Sequence, residues 1–562
     1  MAGLFGLLGI GARSLAAAQL AQATVGNNAA NAATPGFSRR RVSLVEAPAL
    51  RMPNGIFGTG VLADEVTRLR NLLIDAQWRA DSQTLAYSRA QSGILAQVES
   101  LFGAADQAGL ALALNGLFAA FGDVAARPED FGARQALLGQ GQIFANAMTQ
   151  TQDRLVQLKA DAFTAIEARV SEVNDLATQL AALNQQLAAS TDDPALADSQ
   201  DRLVDRLAEL IGVRATRRAD GSVQVVLEGT GIQLVDGART ATVAVTGAAT
   251  TGTVSLTVSG ITLTTANGEI GGLLAMRNSS TDGLPKVLAD LDALAAGVIE
   301  AVNRVHASGA GRTLAQSVTG SVTVTDPTAM LNAAGLWVTP QAGSLTLGVF
   351  DATGTMVSTS TLAIDPTTTS LNALATALDA LPDISASVAG GQLTISATNP
   401  ANKLAFGTDT SDILVALGLN GFFTGTDAGS IAVSTDLTAD PYRVAAAQAD
   451  FTAGLVSAGD NRNARALQAL QSNLFMNGNT QTASDFLGSV GTAVGTWMRA
   501  ATAQIDTHEA LVAAADAQRQ AESGVNLDEE LADMVRYQHA YEASARYIQT
   551  VNEMIKSLLE II

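Results

Sequence analysis

From Asn526 to Ile562 the chain reads NLDEELADMVRYQHAYEASARYIQTVNEMIKSLLEII. Leu527, Leu531, Met534, Gln538, Tyr541, Ala545, Ile548, Asn552, Ile555, Leu559 and Ile562 keep strict four-three spacing, and nine of these eleven are apolar. Such a run predicts one long helix with a coiled-coil seam. Its start is marked: Asn526 can cap, Glu529 stands at the third helical position, and Asp528 and Glu530 complement the positive end of the dipole. Glu542 with Arg546, and Glu553 with Lys556, read as solvated helix pairs. At 1.5 Å per residue the helix spans about 54 Å.

The other end has the same pattern. Leu4, Leu8, Gly11, Leu15, Ala18, Gln22, Val25 and Ala29 alternate by four and three until Pro35-Gly36, the proline disfavouring helix at Thr34 before it. Two seams of similar length predict an antiparallel pair. A coil with Ala and Gly in its seam leaves Leu7, Leu20, Val535, Met554 and Leu558 as apolar surface on its flanks, and such patches mark contacts. Either both ends dock on their own body, or they order only against copies or relatives.

Between the ends the pattern changes in nested fashion. Residues 75–211 have helical spacing, best along Ile166, Val170, Val173, Ala177, Leu180, Asn184 and Leu187. From Val213 to Thr265 the period is two, as in Val223, Val225 and Leu227, with Asp220-Gly221 and Asp236-Gly237 as turns. Helix returns from Ile270 to His306. A Thr/Ser/Gly-rich, strand-like section fills 313–436 apart from a helical patch at Leu371 to Leu381, and helix resumes at Pro441 with one break at 476–482. The reading is a mixed α and β, multidomain chain: a terminal antiparallel coiled coil, a long-helix bundle body formed from both chain ends, and inserted β-rich domains. The expected divisions are a terminal coil (1–36 and 525–562), a helical body (37–212, 269–312 and 437–524), an inserted β domain (213–268) and an outer β-rich domain (313–436).

Composition excludes several function classes. With 33 basic and 53 acidic residues the formal net charge is -20, only four of the basic residues are Lys, and no basic run exceeds Arg39-Arg40-Arg41. Nucleic acid and anionic membranes need a cationic surface, so neither is expected as a partner. There is no Cys, which removes disulfides, thiol nucleophiles and Cys-based metal sites. The longest apolar uncharged stretch, Gln107 to Gly122, is too short for a membrane helix, and Met1 to Ile10 lacks the basic region of a cleavable signal.

The segment Asn27-Asn28-Ala29-Ala30-Asn31-Ala32-Ala33-Thr34-Pro35-Gly36-Phe37-Ser38-Arg39 resembles the N-terminal signature of the bacterial flagellar rod, hook and hook-associated axial proteins. Asn27, Asn28 and Asn31 offer amides suited to a polar subunit contact. Ala458-Gly459-Asp460-Asn461-Arg462-Asn463-Ala464 resembles a helix start of the hook-filament junction family, the first hook-associated proteins. Gly524-Val525-Asn526-Leu527-Asp528-Glu529-Glu530 with Tyr541-Glu542-Ala543-Ser544-Ala545-Arg546 is similar to that family's C-terminal helix. Further matches are Gln97 to Phe102, taken as a helix start, Gln200-Asp201-Arg202-Leu203, and Gly271-Gly272-Leu273-Leu274-Ala275. Residues 313–436 match no family pattern.

The resemblance implies a structural subunit of the flagellum, secreted through the flagellar type III channel after escort by a cytoplasmic chaperone on the C-terminal helix. It further implies assembly with copies of itself in a helical ring, between the hook protein and a second junction protein. Leu4, Leu8, Leu15, Leu527, Leu531, Met534, Tyr541, Ile548, Ile555 and Leu559 are the expected subunit-interface residues, with Asn27, Asn28 and Asn31 placing the turn. A hook-like axial protein, or an adhesin using 313–436, are the alternatives. No catalytic, cofactor or metal site is expected. His306, His508 and His539 have no partner at metal-ligand spacing, and Gly58-Thr59-Gly60 lacks the strand-helix context of a dinucleotide turn.

Overall fold

A computed structural model of the protein describes residues 2–52, 55–102, 109–189, 193–263 and 267–561. In chain order a helix α1 (Ala2–Ala30) leads to strands β1 (Arg40–Glu46), β2 (Leu50–Met52), β3 (Gly55–Phe57) and β4 (Val61–Arg68). Helices α2 (Leu72–Phe102), α3 (Leu110–Ala126), α4 (Phe131–Ala189) and α5 (Pro194–Leu210) follow. Then come β5 (Val213–Arg217), β6 (Val223–Leu227), β7 (Gln233–Asp236), β8 (Arg239–Thr240), β9 (Val243–Thr246), β10 (Ser255–Val258) and β11 (Ile261–Thr262). After α6 (Gly268–Asn278) and α7 (Leu284–Ala307) a second β-rich section holds β12 (Ser317–Thr319), β13 (Gly343–Phe350), β14 (Met356–Ile364), α8 (Leu371–Asp379), β15 (Ile384–Ala389), β16 (Gln392–Ala397) and β17 (Lys403–Asp409). The chain closes with α9 (Ile413–Leu417), β18 (Phe423–Thr424), β19 (Ala432–Val433), α10 (Thr435–Ala439), α11 (Arg462–Ala469), α12 (Ala483–Ser523) and α13 (Leu527–Ile561). The fold is mixed α and β, 54% helical with 18% strand, and its ends form an antiparallel coil. It separates into two compact units, Met1–Gly93 with Asp161–Arg277 and Arg499–Ile562, and Ile94–Ala160 with Asn278–Met498.

In the first unit the α4 stripe is sealed. Ile166, Val170, Val173, Ala177, Leu180, Asn184 and Leu187 are each 5% exposed or less. One polar residue fits because every bond of its amide is used. Asn184 Nδ2 donates to the carbonyls of Val223 and Gly237, while Oδ1 accepts from the Val223 N–H and from Gln200. Asn174 makes the same two-way bond with Val243. Leaving one such group buried and unpaired would cost roughly 1–3 kcal/mol. Through these two amides α4 grips both small sheets, β5-β6-β7-β8 and β11-β10-β9.

Helix α5 starts at Asp193, which accepts from the N–H groups of Ala195 and Leu196. It lines up Asp198, Asp201 and Asp205 against six arginines, Arg40, Arg68, Arg70, Arg79, Arg217 and Arg519. Arg68 Nη1 lies 2.8 Å from both Asp198 and Asp201, and Arg217 and Arg70 reach Asp201 at 3.1 and 3.4 Å. Arg79 and Arg519 hold Asp205 at 2.6 and 3.2 Å. Burial pushes the Asp201 carboxyl up, but Arg70, Arg217 and Arg68 outweigh it and hold it below the usual carboxylate range.

In the second unit the sheets β14-β13-β17 and β12-β16-β15 and the Ser370-capped α8 enclose a core that includes Leu345, Leu347, Leu374, Leu378, Ile395 and Phe406. The Thr/Ser-rich composition supplies turn chemistry. Asp326, Asp351, Asp365 and Asp409 each accept from the N–H and hydroxyl of the Thr or Ser two residues on.

Two local expectations fail. Helix does not run on from Pro441: after one 3-10 turn, residues 444–461 are turns and bridges, and helix restarts only at Arg462. Tertiary bonds take that backbone. The Ala445 N–H donates to His306 Nε2, Ala447 pairs with Ala310, and Asn463 donates to the Ala445 carbonyl. Gln97 to Phe102 is the end of α2 and starts no helix.

Candidate subunit interface

Helices α1 and α13 meet antiparallel along a line of small and polar residues. Gly11 lies so near α13 that a Cβ there would come 2.7 Å from Ile548. The hydroxyls of Ser14 and Ser544 are 2.8 Å apart, and Asn28 donates to Glu530 at 3.0 Å. Ala17, Ala18, Ala21, Val25 and Val551 complete the buried strip. Seen from α13, the inward line is Glu530, Met534, Tyr537, Tyr541, Ser544, Ile548, Val551 and Ile555, all buried or half-buried. This line overlaps the sequence seam at Met534, Tyr541, Ile548 and Ile555 and departs from it at Leu527, Leu531, Gln538, Asn552 and Leu559, which are exposed.

The departure puts large apolar side chains in solvent. Leu527, Leu531 and Leu559 are 50%, 56% and 64% exposed, and Val535, Met554 and Leu558 are exposed beside them. On α1, Leu8 and Leu15 are half-buried while Phe5 and Leu20 are exposed. The Leu4 side chain and Ile562 lie outside the described residues. Asn27 is exposed, its carbonyl accepting from Asn31 Nδ2, and Asn31 Oδ1 accepts from Thr34. Asn28 is spent on its own chain: Nδ2 donates to the Arg40 carbonyl and Oδ1 accepts from the Arg40 N–H.

Sequence reading missed the latch at the base of the coil. Glu530, 1% exposed, receives Arg39 Nε at 2.6 Å, and Arg39 Nη1 reaches Glu529 at 2.8 Å. Burial disfavours the Arg39 charge, yet Glu529 and Glu530 outweigh it and hold its pKa above the ordinary value. The Arg39 N–H donates to the Ser523 carbonyl, and the Ser38 N–H to Asp198. In the sequence Glu530 reads only as a helix-start charge, because pairing across 491 residues leaves no local signal.

The hairpin was also missed. Strands β1 and β4 pair antiparallel and lie against α1, Arg13 donating to the Thr59 carbonyl. In it, Leu44, Val45, Leu50, Ile56, Phe57 and Leu62 are all exposed, Ile56 by 71%. The signal is present as a run from Ala47 to Ala63 in which Arg51 is the one charged residue.

No arrangement among the described residues offers catalytic chemistry. No group of three or more His, Cys, Asp or Glu is placed to hold a metal. A concavity of about 910 Å³ between the end of α2, α3 and α12 is lined by Leu110, Leu112, Leu487, Gly488 and Val494, with Glu99 as the one carboxylate among the described residues. His306 is buried with Nδ1 on the Asn420 carbonyl, His508 Nδ1 lies 3.1 Å from Asp81, and His539 is exposed. No described helix is long and apolar enough to cross a membrane.

Residues 95–320 match the family described as "Flagellar hook-associated protein FlgK helical domain", and residues 505–561 match "Flagellar basal body rod FlgEFG protein C-terminal". Over 97% of this chain, and 98% of theirs, it is 26% identical to flagellar hook-associated protein 1 of Escherichia coli (strain K12) and 27% identical to that of Salmonella typhimurium. Over nearly its whole length, then, the chain is similar to FlgK proteins. A solved FlgK structure from Burkholderia pseudomallei, titled as a flagellar hook junction protein, shares the fold at a TM-score of 0.52 with 18% identity, covering 80% of this chain and all of that one. FlgK proteins are structural components of the flagellum and not enzymes. These matches support a structural role in the flagellum, in association with other axial components.

Proposed function

We propose that this chain is the subunit that joins hook to filament, and that it does so by packing α1 and α13 against copies of itself in a helical ring. The observation that carries this reading is the half-covered coil: the small residues Gly11, Ser14, Ala18 and Ala21 of α1 meet one face of α13, while Phe5, Leu527, Leu531 and Leu559 face out. A coil meant to stay solitary would bury its large side chains, since each is worth roughly 1.5–3 kcal/mol on burial. Residues 1–36 and 525–562 form the assembling part, and the β-rich 213–268 and 313–436 are carried by it. The hook protein lies on one side of the ring and a second junction protein on the other. Before export through the flagellar type III channel, a cytoplasmic chaperone covers the same α13 stripe.

Leu531→Asp tests the assignment. Leu531 is exposed, so the monomer stays folded and soluble, and cells carrying the variant are expected to make hooks but shed filament protein into the medium. Normal swimming with filaments retained would show that the outward stripe takes no part in assembly.

A further inference from the structure

Two of the exposed apolar patches of the first unit sit at opposite ends of the coil. The hairpin runs along α1 so that Gly60 rests on Ile10 and Thr59 on Arg13, with the β2-β3 tip beyond them. The stripe Leu527, Leu531 and Val535 begins at the other end, where Glu530 meets Asn28. Eighteen residues of α1 separate Ile10 from Asn28, about 27 Å at 1.5 Å per residue. The tip of a given copy therefore cannot cover its own stripe.

The patches also match in charge. At the tip Leu50 pairs across the strands with Phe57, and Arg51 with Ile56. Arg51 is exposed and in no ion pair among the described residues. Residues 526–535 hold four acidic side chains and no basic one. Glu529 and Glu530 are answered by Arg39, and Asp533 by Arg536, which leaves Asp528 exposed and in no ion pair among the described residues.

Accepting that copies assemble through their ends, we propose that the hairpin tip of one copy docks on the first turns of α13 of the next. Leu50, Ile56 and Phe57 meet Leu527, Leu531 and Val535, and Arg51 faces Asp528. The contact is heterologous: each copy uses its tip on one neighbour and its stripe on another, so it repeats from copy to copy along the assembly. Apolar burial supplies the affinity against the mutual repulsion of chains of net charge -20, and the single ion pair sets the register. Successive copies are displaced along the coil axis by at least about 27 Å.

The chain has no Cys, so a chain carrying Ile56→Cys and Leu531→Cys together, both at exposed positions, can be treated with a short bis-maleimide on isolated flagella. A ladder of dimers, trimers and higher species is expected. Flagella that assemble and keep their filaments without any ladder overturn this contact and leave the junction role standing. Absence of the unsubstituted chain from the flagella overturns both. A charge exchange gives an independent check: Arg51→Glu and Asp528→Arg should each cut the fraction of cells with filaments about tenfold, and together restore most of it. Failure of the pair to rescue also overturns the contact.

Discussion

Two stripes with the same four-three spacing met different fates. Along α4, Ile166 to Leu187 is sealed, its one polar member Asn184 held by four hydrogen bonds. Along α13, the stripe from Leu527 to Leu559 is split. Its middle touches α1, while Leu527, Leu531 and Leu559 face solvent. Periodicity reports that a helix has an apolar face; it does not report whether the partner lies in the same chain. Here the difference shows in what the partner offers. The α4 stripe meets sheets and α5, whereas α13 meets a helix whose contact line is Gly11, Ser14, Ala18 and Ala21, too small to engage large side chains on both flanks.

The largest effect should come from carrying one substitution to both stripes. Leu180→Asp places an unpaired carboxylate at a site with no exposure, and should cost more than about 4 kcal/mol, leaving little folded chain in thermal unfolding. Leu531→Asp should move the melting temperature by less than about 2 °C while abolishing filament retention. Equal melting temperatures for the two variants would erase the distinction. Next, Asn184→Leu should destabilise by about 3 kcal/mol, since the Val223 and Gly237 backbone groups and Gln200 lose their partners together. Denaturant unfolding checks it, and a neutral result would mean that the α4 stripe holds no closer to its sheets than α13 holds to α1.

Acid provides a control outside both stripes. Burial pushes the His306 imidazole down to about 4, with the Asn420 carbonyl opposing and Arg134 adding to the fall. Its neutral form therefore supports the fold fully above the unfolded value of 6.5, and that support is lost as pH falls toward 4. The loss amounts to about 3 kcal/mol at 1.36 kcal/mol per pH unit. Urea unfolding at pH 7 and pH 4 should show it in the second unit, and His306→Gln should flatten the profile. The smallest effect belongs to the latch. Glu530→Gln weakens the pair with Arg39 and should cost about 1–2 kcal/mol, seen as faster amide exchange at the start of α13. Unchanged exchange would mean that Arg39 and Asn28 do not anchor the coil.

Much of the fold was legible because it is written locally. The α4 stripe, the period-two strands from Val213, the helix at Leu371 and the break at Pro35-Gly36 depend on spacing and turn residues that neighbours in sequence reveal. The helix expected after Pro441 was lost because His306, Ala310 and Asn463 claim that backbone from 18 to 139 residues away. The α13 line was displaced for a related reason: Ser544 and Glu530 do not read as seam residues, yet Ser14, Asn28 and Arg39 give them inward partners.

Sequence alone determined that both ends are helices with apolar faces, that they are matched in length, and that the chain carries no thiol chemistry and a strong negative charge. Those properties follow from side-chain periodicity and counting, which need no knowledge of neighbours in space. Only the tertiary structure decided which face each end turns inward, that Asn28 and Glu530 close a latch, and that the hairpin tip stands bare. A face is buried or exposed according to the size and polarity of what lies opposite, and the residues opposite are hundreds of positions away.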